Sequence, residues 1–137
     1  METTKTELSL PSRLETIDEA AAHAARHAAR HGVDEAGLFG IDLAVREAVA
    51  NAVKHGNKFD ETKFVKIRFE PSPETLVIFV EDAGEGFSLD AVPDPTNPEN
   101  LLKESGRGIL FMQNFMDEVV WTQSETGGTI VKLVKNL

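Results

Sequence analysis

The chain contains no cysteine. That removes disulfides, thiolate metal sites and thiol nucleophiles, so any chemistry it performs uses oxygen and nitrogen groups. It is also short of cations: 14 Lys and Arg stand against 23 Asp and Glu, a formal net charge of −9. This balance argues against a direct nucleic-acid partner, which needs clustered Lys and Arg, and it suits a basic protein partner or plain solubility. No run approaches the ~18 consecutive apolar residues of a membrane span. The opening METTKTELSL lacks the basic flank and apolar core of an export signal, so a cytoplasmic protein away from membranes is expected. Internal repeats and low-complexity tails are absent as well. With 137 residues, 41% hydrophobic and 27% charged, a single domain over residues 1–137 with a real core is expected.

Read in order, Thr6, Leu8 and Leu10 alternate with Glu7 and Ser9 as an edge strand that Pro11 stops. An Ala-rich helix follows, with Thr16 or Asp18 as N-cap and Gly32 as its stop. It carries His23, His27 and His31 at steps of four; a zinc site needs further ligands in fixed geometry, so this stripe is read as a solvated or interface face, and no metal is assigned. Asp34 caps a second helix that runs to Gly56, and Gly56-Asn57 makes a turn. Lys63 to Glu70 and Thr75 to Val80, joined by Pro71-Ser72-Pro73, form an antiparallel hairpin whose second strand is central or covered on both sides. Asp90 to Ser105, with three prolines and two asparagines, is a long loop bracketed by Gly84/Gly86 and Gly106/Gly108, which suggests a hinged lid at about residues 87–105. A short apolar helix over Ile109 to Met116 and two strands, Glu118 to Gln123 and Thr129 to Val134, close the chain. Helices do not alternate with strands, so the expected fold is a two-layer α+β sandwich: a mixed or antiparallel sheet of four or five strands with helices on one face.

The chemistry concentrates in three places. On the second helix Glu47, Asn51 and His55 stand at steps of four, and at about 100° per residue they form one polar stripe beside the apolar face of Ile41, Val45, Val49 and Ala52. The small residues Ala44 and Ala48 lie between stripe and core, so a ligand can come close to the helix. Asp82-x-Gly84-x-Gly86 follows an apolar strand; a carboxylate there can accept a hydrogen bond from an exocyclic amine, and the glycines let backbone approach a flat ring or a phosphate. The plain alternative is a tight turn. Gly106-Arg107-Gly108 opens a helix, whose free N–H groups, with Arg107 and Lys103, suit an anion; a glycine helix cap with a solvated arginine is the alternative. Neither the GxxxxGK[ST] phosphate loop nor the dinucleotide fingerprint is present.

Taken together and in this order, Glu47…Asn51, Asp82-x-Gly-x-Gly and Gly-x-Gly resemble the N, G1 and G2 boxes of the GHKL ATP-binding (Bergerat) fold. Within it EAVANAVKHGN, EDAGEGF and SGRGILFMQNFMDEV resemble the anti-sigma-factor serine/threonine kinases of bacterial partner-switching systems, from about Ser12 onward. The resemblance implies a kinase that uses ATP and Mg²⁺ and phosphorylates an anti-sigma-factor antagonist. Glu47 would be the general base, Asn51 the Mg²⁺ ligand and Asp82 the acceptor of the adenine amine. Gly84, Gly86, Gly106 and Gly108 would shape pocket and lid, Thr129 would stand near the adenine, and Lys54 and Arg107 would be secondary phosphate contacts. It further implies a sigma factor as a second partner, and a homodimer. An ATP-binding module that captures a partner without phosphotransfer is the rival reading; a histidine kinase catalytic fragment is a third, disfavoured because no dimerisation helices or phosphoacceptor segment precede the fold. The first helix, rich in Ala and His, departs from the family pattern and leaves the partner's identity open.

Overall fold

A computed structural model of the protein describes residues 6–84 and 112–137. Five strands, β1 (Thr6–Pro11), β2 (Phe64–Pro71), β3 (Thr75–Glu81), β4 (Glu118–Gln123) and β5 (Thr129–Asn136), form one sheet in the order β1-β2-β3-β5-β4. Every pairing is antiparallel. The expected range of four or five mixed or antiparallel strands thus resolves, among the described residues, to five, all antiparallel. β3 is central in the sheet, and its inward set, Leu76, Ile78 and Val80, is buried whereas Val77 and Phe79 are half-buried. The strand is apolar throughout because it is central; its outer face carries no second layer of described residues, and there Arg68 sits over the Phe79 ring at 4.2 Å.

Two helices, α1 (Glu15–Arg30) and α2 (Glu35–Asn51), cover the inner face. Ala20, Ala24 and Ala28 of α1 and Ile41, Ala44, Val45, Ala48 and Val49 of α2 join Val65, Ile67, Phe69, Leu76, Ile78, Val80, Val131 and Leu133 in one core. The alanine stripe lets α1 lie close on α2, burying apolar surface that is worth roughly 25 cal/mol per Å². On the surface the pair is tied by Arg46, which donates to Asp18 at 2.6 Å and to Asp42 at 3.0 Å; exposed ion pairs of this kind contribute little. Residues 112–115 are helical and bury Met112 against the core, while the rest of the helix expected over Ile109 to Met116, and the lid, lie outside the described residues. No described helix is long and apolar enough to cross a membrane.

Two helix boundaries differ from the sequence reading. Neither Thr16 nor Asp18 caps α1: its N-cap position is Leu14, without a side-chain cap, and the Thr16 hydroxyl donates to the Pro11 carbonyl. The chain already turns at 11–16, where Arg13 and Thr16 donate their N–H groups to Pro11 and Arg13, so α1 starts before the polar residues that signalled it. The Asp34 cap is as expected, its Oδ1 accepting from Gly37 N at 2.8 Å, and Gly32 ends α1 at φ +79°. The second correction falls in the region of interest: α2 does not remain α-helical to Gly56. From Ala52 to Gly56 it widens into a π-helical turn, closed by Asn57 N–H donating to Ala52 O at 2.8 Å. π turns are rare and concentrate at functional sites.

Candidate functional site

The widened turn brings the end of the helix onto the end of β3. Gly56 faces the Asp82 carboxylate so closely that a Cβ there would collide with it, a Cβ on Gly84 would meet the Gly56 carbonyl, and one on Gly128 would meet the Asp82 carbonyl. Three glycines therefore form a cradle around one acid, and each is glycine because backbone approaches backbone or carboxylate at that point.

Asp82 is only 7% exposed. Its Oδ1 accepts from Gly84 N at 2.9 Å and from Thr129 N at 3.2 Å, and its own N–H donates to Thr129 O at 3.0 Å, extending the β3–β5 ladder one step past the sheet. Oδ2 receives no hydrogen bond from any described residue. Burial raises the Asp82 pKa above its ordinary value, against the opposing effect of the Gly84 and Thr129 N–H groups and Lys63. A carboxylate with one oxygen held and the other without a hydrogen bond from a described residue can accept one from a donor.

Of the residues singled out in the sequence, Asp82, Gly84 and Thr129 converge here. Glu47 and Asn51 lie one turn apart on the last part of α2, both partly buried, on the helix whose end meets Asp82. Lys54 is partly buried in the π turn. His55 does not continue the stripe: a π turn advances fewer degrees per residue than an α turn, and His55 is exposed. Gly86, Gly106, Arg107 and Gly108 lie outside the described residues.

Sequence reading missed Gly56, Gly128 and Asn57. The Gly56-Asn57 pair reads as a turn, and nothing local distinguishes a turn glycine from one pressed on a carboxylate far along the chain. Asn57 is 1% exposed and hydrogen-bonds on both sides of its amide. A buried amide wired in this way is a structural commitment, whereas an asparagine in a turn is not.

The profile of the family described as the histidine kinase-like ATPase domain matches residues 10–135. The chain belongs to this family. Among curated proteins, this ATPase domain is 34% identical over 101 residues to the serine-protein kinase RsbW of Staphylococcus epidermidis, covering 68% of the chain and 64% of that relative. It is 38% identical over 101 residues to the anti-sigma F factor of Bacillus cytotoxicus, covering 71% of the chain and 68% of the relative. The match thus spans a little under two-thirds of the staphylococcal kinase. In solved structures the fold recurs in the RsbU and RsbW domains of a Mycobacterium tuberculosis protein, at a TM-score of 0.69 and 18% identity, covering 97% of this chain and 32% of that one. It recurs also in the mycobacterial sensor histidine kinase MprB, at a TM-score of 0.58 and 13% identity, covering 97% of each chain.

Proposed function

We propose that the protein is an ATP-dependent serine/threonine protein kinase acting as an anti-sigma factor: it phosphorylates an anti-sigma-factor antagonist and holds a sigma factor when that antagonist is modified. One observation carries the nucleotide part of this reading, the half-wired Asp82 carboxylate in its glycine cradle against the end of the helix that bears Glu47 and Asn51. The relatives named a serine-protein kinase and an anti-sigma factor support the rest.

In this reading Oδ2 of Asp82 accepts the adenine amine, with Thr129 beside it and Gly84 giving the ring room. Residues 1–137 act as one ATPase domain, and Gly86, Gly106, Arg107 and Gly108 complete the phosphate side and the lid, with Lys54 a further phosphate contact. The residues fit Mg²⁺ as well, since that ion takes one or two protein oxygens and fills its shell with phosphate and water; Asn51 Oδ1 would be the protein ligand. When bound, the ion neutralises charge on the transferring phosphoryl group. Glu47, one turn before Asn51, orients the substrate serine and takes its hydroxyl proton as the oxygen attacks the γ-phosphorus in line, with ADP leaving. The protein works in the cytoplasm as a homodimer. Partner capture without transfer is the second reading, and a carboxylate at position 47 favours the kinase because capture needs no base.

The test is a thermal and calorimetric titration with Mg·ATP, followed by transfer of labelled γ-phosphate to a purified antagonist. Binding should raise the melting temperature, as any ligand of the folded state does. Absence of both heat and shift at saturating Mg·ATP refutes the nucleotide site; binding without transfer to any cognate antagonist favours capture.

A further inference from the structure

Asn57 has no part in the chemistry above, yet its side chain is buried and hydrogen-bonded through both ends of its amide. Its Nδ2 donates to Ser12 Oγ at 2.7 Å and to the Phe64 carbonyl at 3.2 Å, and its Oδ1 accepts from Ala83 N–H at 2.8 Å. Ser12 Oγ in turn donates to the Lys63 carbonyl at 2.6 Å. One amide therefore joins four segments: the end of the π turn, the segment after β1, the start of β2 and the residue next to Asp82. Its backbone N–H closes the π turn itself, so the same residue fixes Gly56 on one side of the carboxylate and Ala83 on the other. Past Asn57 the backbone is left-handed at two non-glycine residues, Lys58 at φ 51° and Phe59 at φ 59°, and the Phe59 ring is 51% exposed. Such conformations persist only where the surroundings over-determine them. Backbone hydrogen bonds hold this path, Phe59 N–H donating to Val53 O at 2.8 Å and Asp60 N–H to Asn57 O at 3.0 Å, while the aromatic residue is only half buried, as expected if the segment serves to keep Asn57 in position.

We infer that Asn57 is a positioning residue for base selection: it sets the Asp82 to Gly84 turn against the end of the Glu47 and Asn51 helix, and so fixes where Oδ2 of Asp82 presents its lone pairs. The inference rests on the nucleotide reading above. An acceptor discriminates adenine, with its exocyclic amine, from guanine, with a carbonyl at the same place, only if it cannot move aside. A loosened Asp82 would lose selectivity along with affinity, whereas a merely structural residue would lower stability and leave the choice of base intact.

The experiment is calorimetric titration of the full chain with Mg·ATP and with Mg·GTP, for the unmutated protein, Asn57→Ala, Ser12→Ala and Val119→Ala. The unmutated protein should prefer ATP. Asn57→Ala should weaken ATP about tenfold or more and bring the ATP-to-GTP ratio near one, since it removes three hydrogen bonds and leaves Ala83 N–H unpaired. Ser12→Ala, which removes one of Asn57's partners, should lower the ratio by about two- to fivefold. Val119→Ala, a truncation on the far edge strand, should lower the melting temperature with the ratio unchanged. A folded Asn57→Ala protein with the unmutated ratio overturns the inference. If Asn57→Ala does not fold, Ser12→Ala decides in the same way. An unmutated protein that binds neither nucleotide refutes the nucleotide reading itself.

Discussion

Two sets of residues stand at steps of four in the sequence, His23, His27 and His31 along α1 and its C-cap, and Glu47 and Asn51 on α2 followed by His55 in the π turn, and their surroundings are opposite. The α1 stripe runs out to the helix C-cap at His31 and meets apolar or cationic neighbours: His27 stacks on Phe69 at 4.4 Å and 15°, His23 is hydrogen-bonded to Arg26, and both ring nitrogens of His31 are buried without a partner among the described residues. The α2 stripe ends in a π turn that drives its helix onto a buried, hydrogen-bonded carboxylate. Spacing along a helix is thus a poor guide to a site; what the helix ends on separates the two.

Predictions that probe this contrast begin with the largest effect. Glu47→Gln keeps size and hydrogen bonding but cannot take a proton, so transfer to the antagonist should fall by roughly 10²–10⁴-fold with ATP affinity retained. Loss of binding instead would make Glu47 structural. On the other stripe, His27→Phe should leave ATP affinity unchanged, and any loss there would erase the contrast. Gly56→Ala places a methyl group where the Asp82 carboxylate lies. Overpacking of this sort costs about 1–3 kcal/mol, so ATP affinity should drop by about tenfold or more alongside a lower melting temperature. Undiminished affinity would mean that the cradle is slack.

The smallest effect is on pH dependence, where the two regions have opposite signs. Burial, then Arg30, His23, His31 and Arg26, lower the His27 pKa below its ordinary 6.5. The folded protein therefore binds fewer protons than the unfolded chain, and the stability associated with His27, full above 6.5, is lost as pH falls from there through the depressed folded value. Asp82 behaves the other way: its pKa is raised above 3.8 by burial, so its contribution is full below 3.8 and is lost as pH rises through the raised value. Denaturant melts from pH 7.5 to 5.5 should show a decline in the unmutated protein that His27→Phe flattens; identical slopes would show that the α1 stripe is indifferent to protonation.

The strands, both helices and the carboxylate at the end of β3 were legible because each rests on local signals: alternation in KFVKIRFE, the Asp34 cap, and an apolar run ending in Asp82. The end of α2 was not. An α-helix and a π turn differ by one hydrogen-bond step, and what selects the wider turn is contact between Gly56 and Asp82 and the closure at Asn57, all long-range or backbone terms. The cradle was illegible for the same reason, since Gly56, Gly84 and Gly128 come from three separate segments. The start of α1 was misplaced because Thr16 spends its hydroxyl on Pro11, outside the helix.

The central claim, that Asp82 reads the base, is tested most directly by the nucleotide preference of Asp82→Asn. Two backbone N–H groups point at the Oδ1 position, so the amide must put its oxygen there and its NH₂ at the Oδ2 position. An acceptor facing the base becomes a donor, which repels the adenine amine and suits the guanine carbonyl. The variant should be no less stable than the unmutated protein near pH 7 without nucleotide, because it no longer buries a charge, while its preference shifts from Mg·ATP toward Mg·GTP. An Asp82→Asn protein that binds Mg·ATP as tightly as the unmutated chain, with the same disfavour of Mg·GTP, would contradict the account.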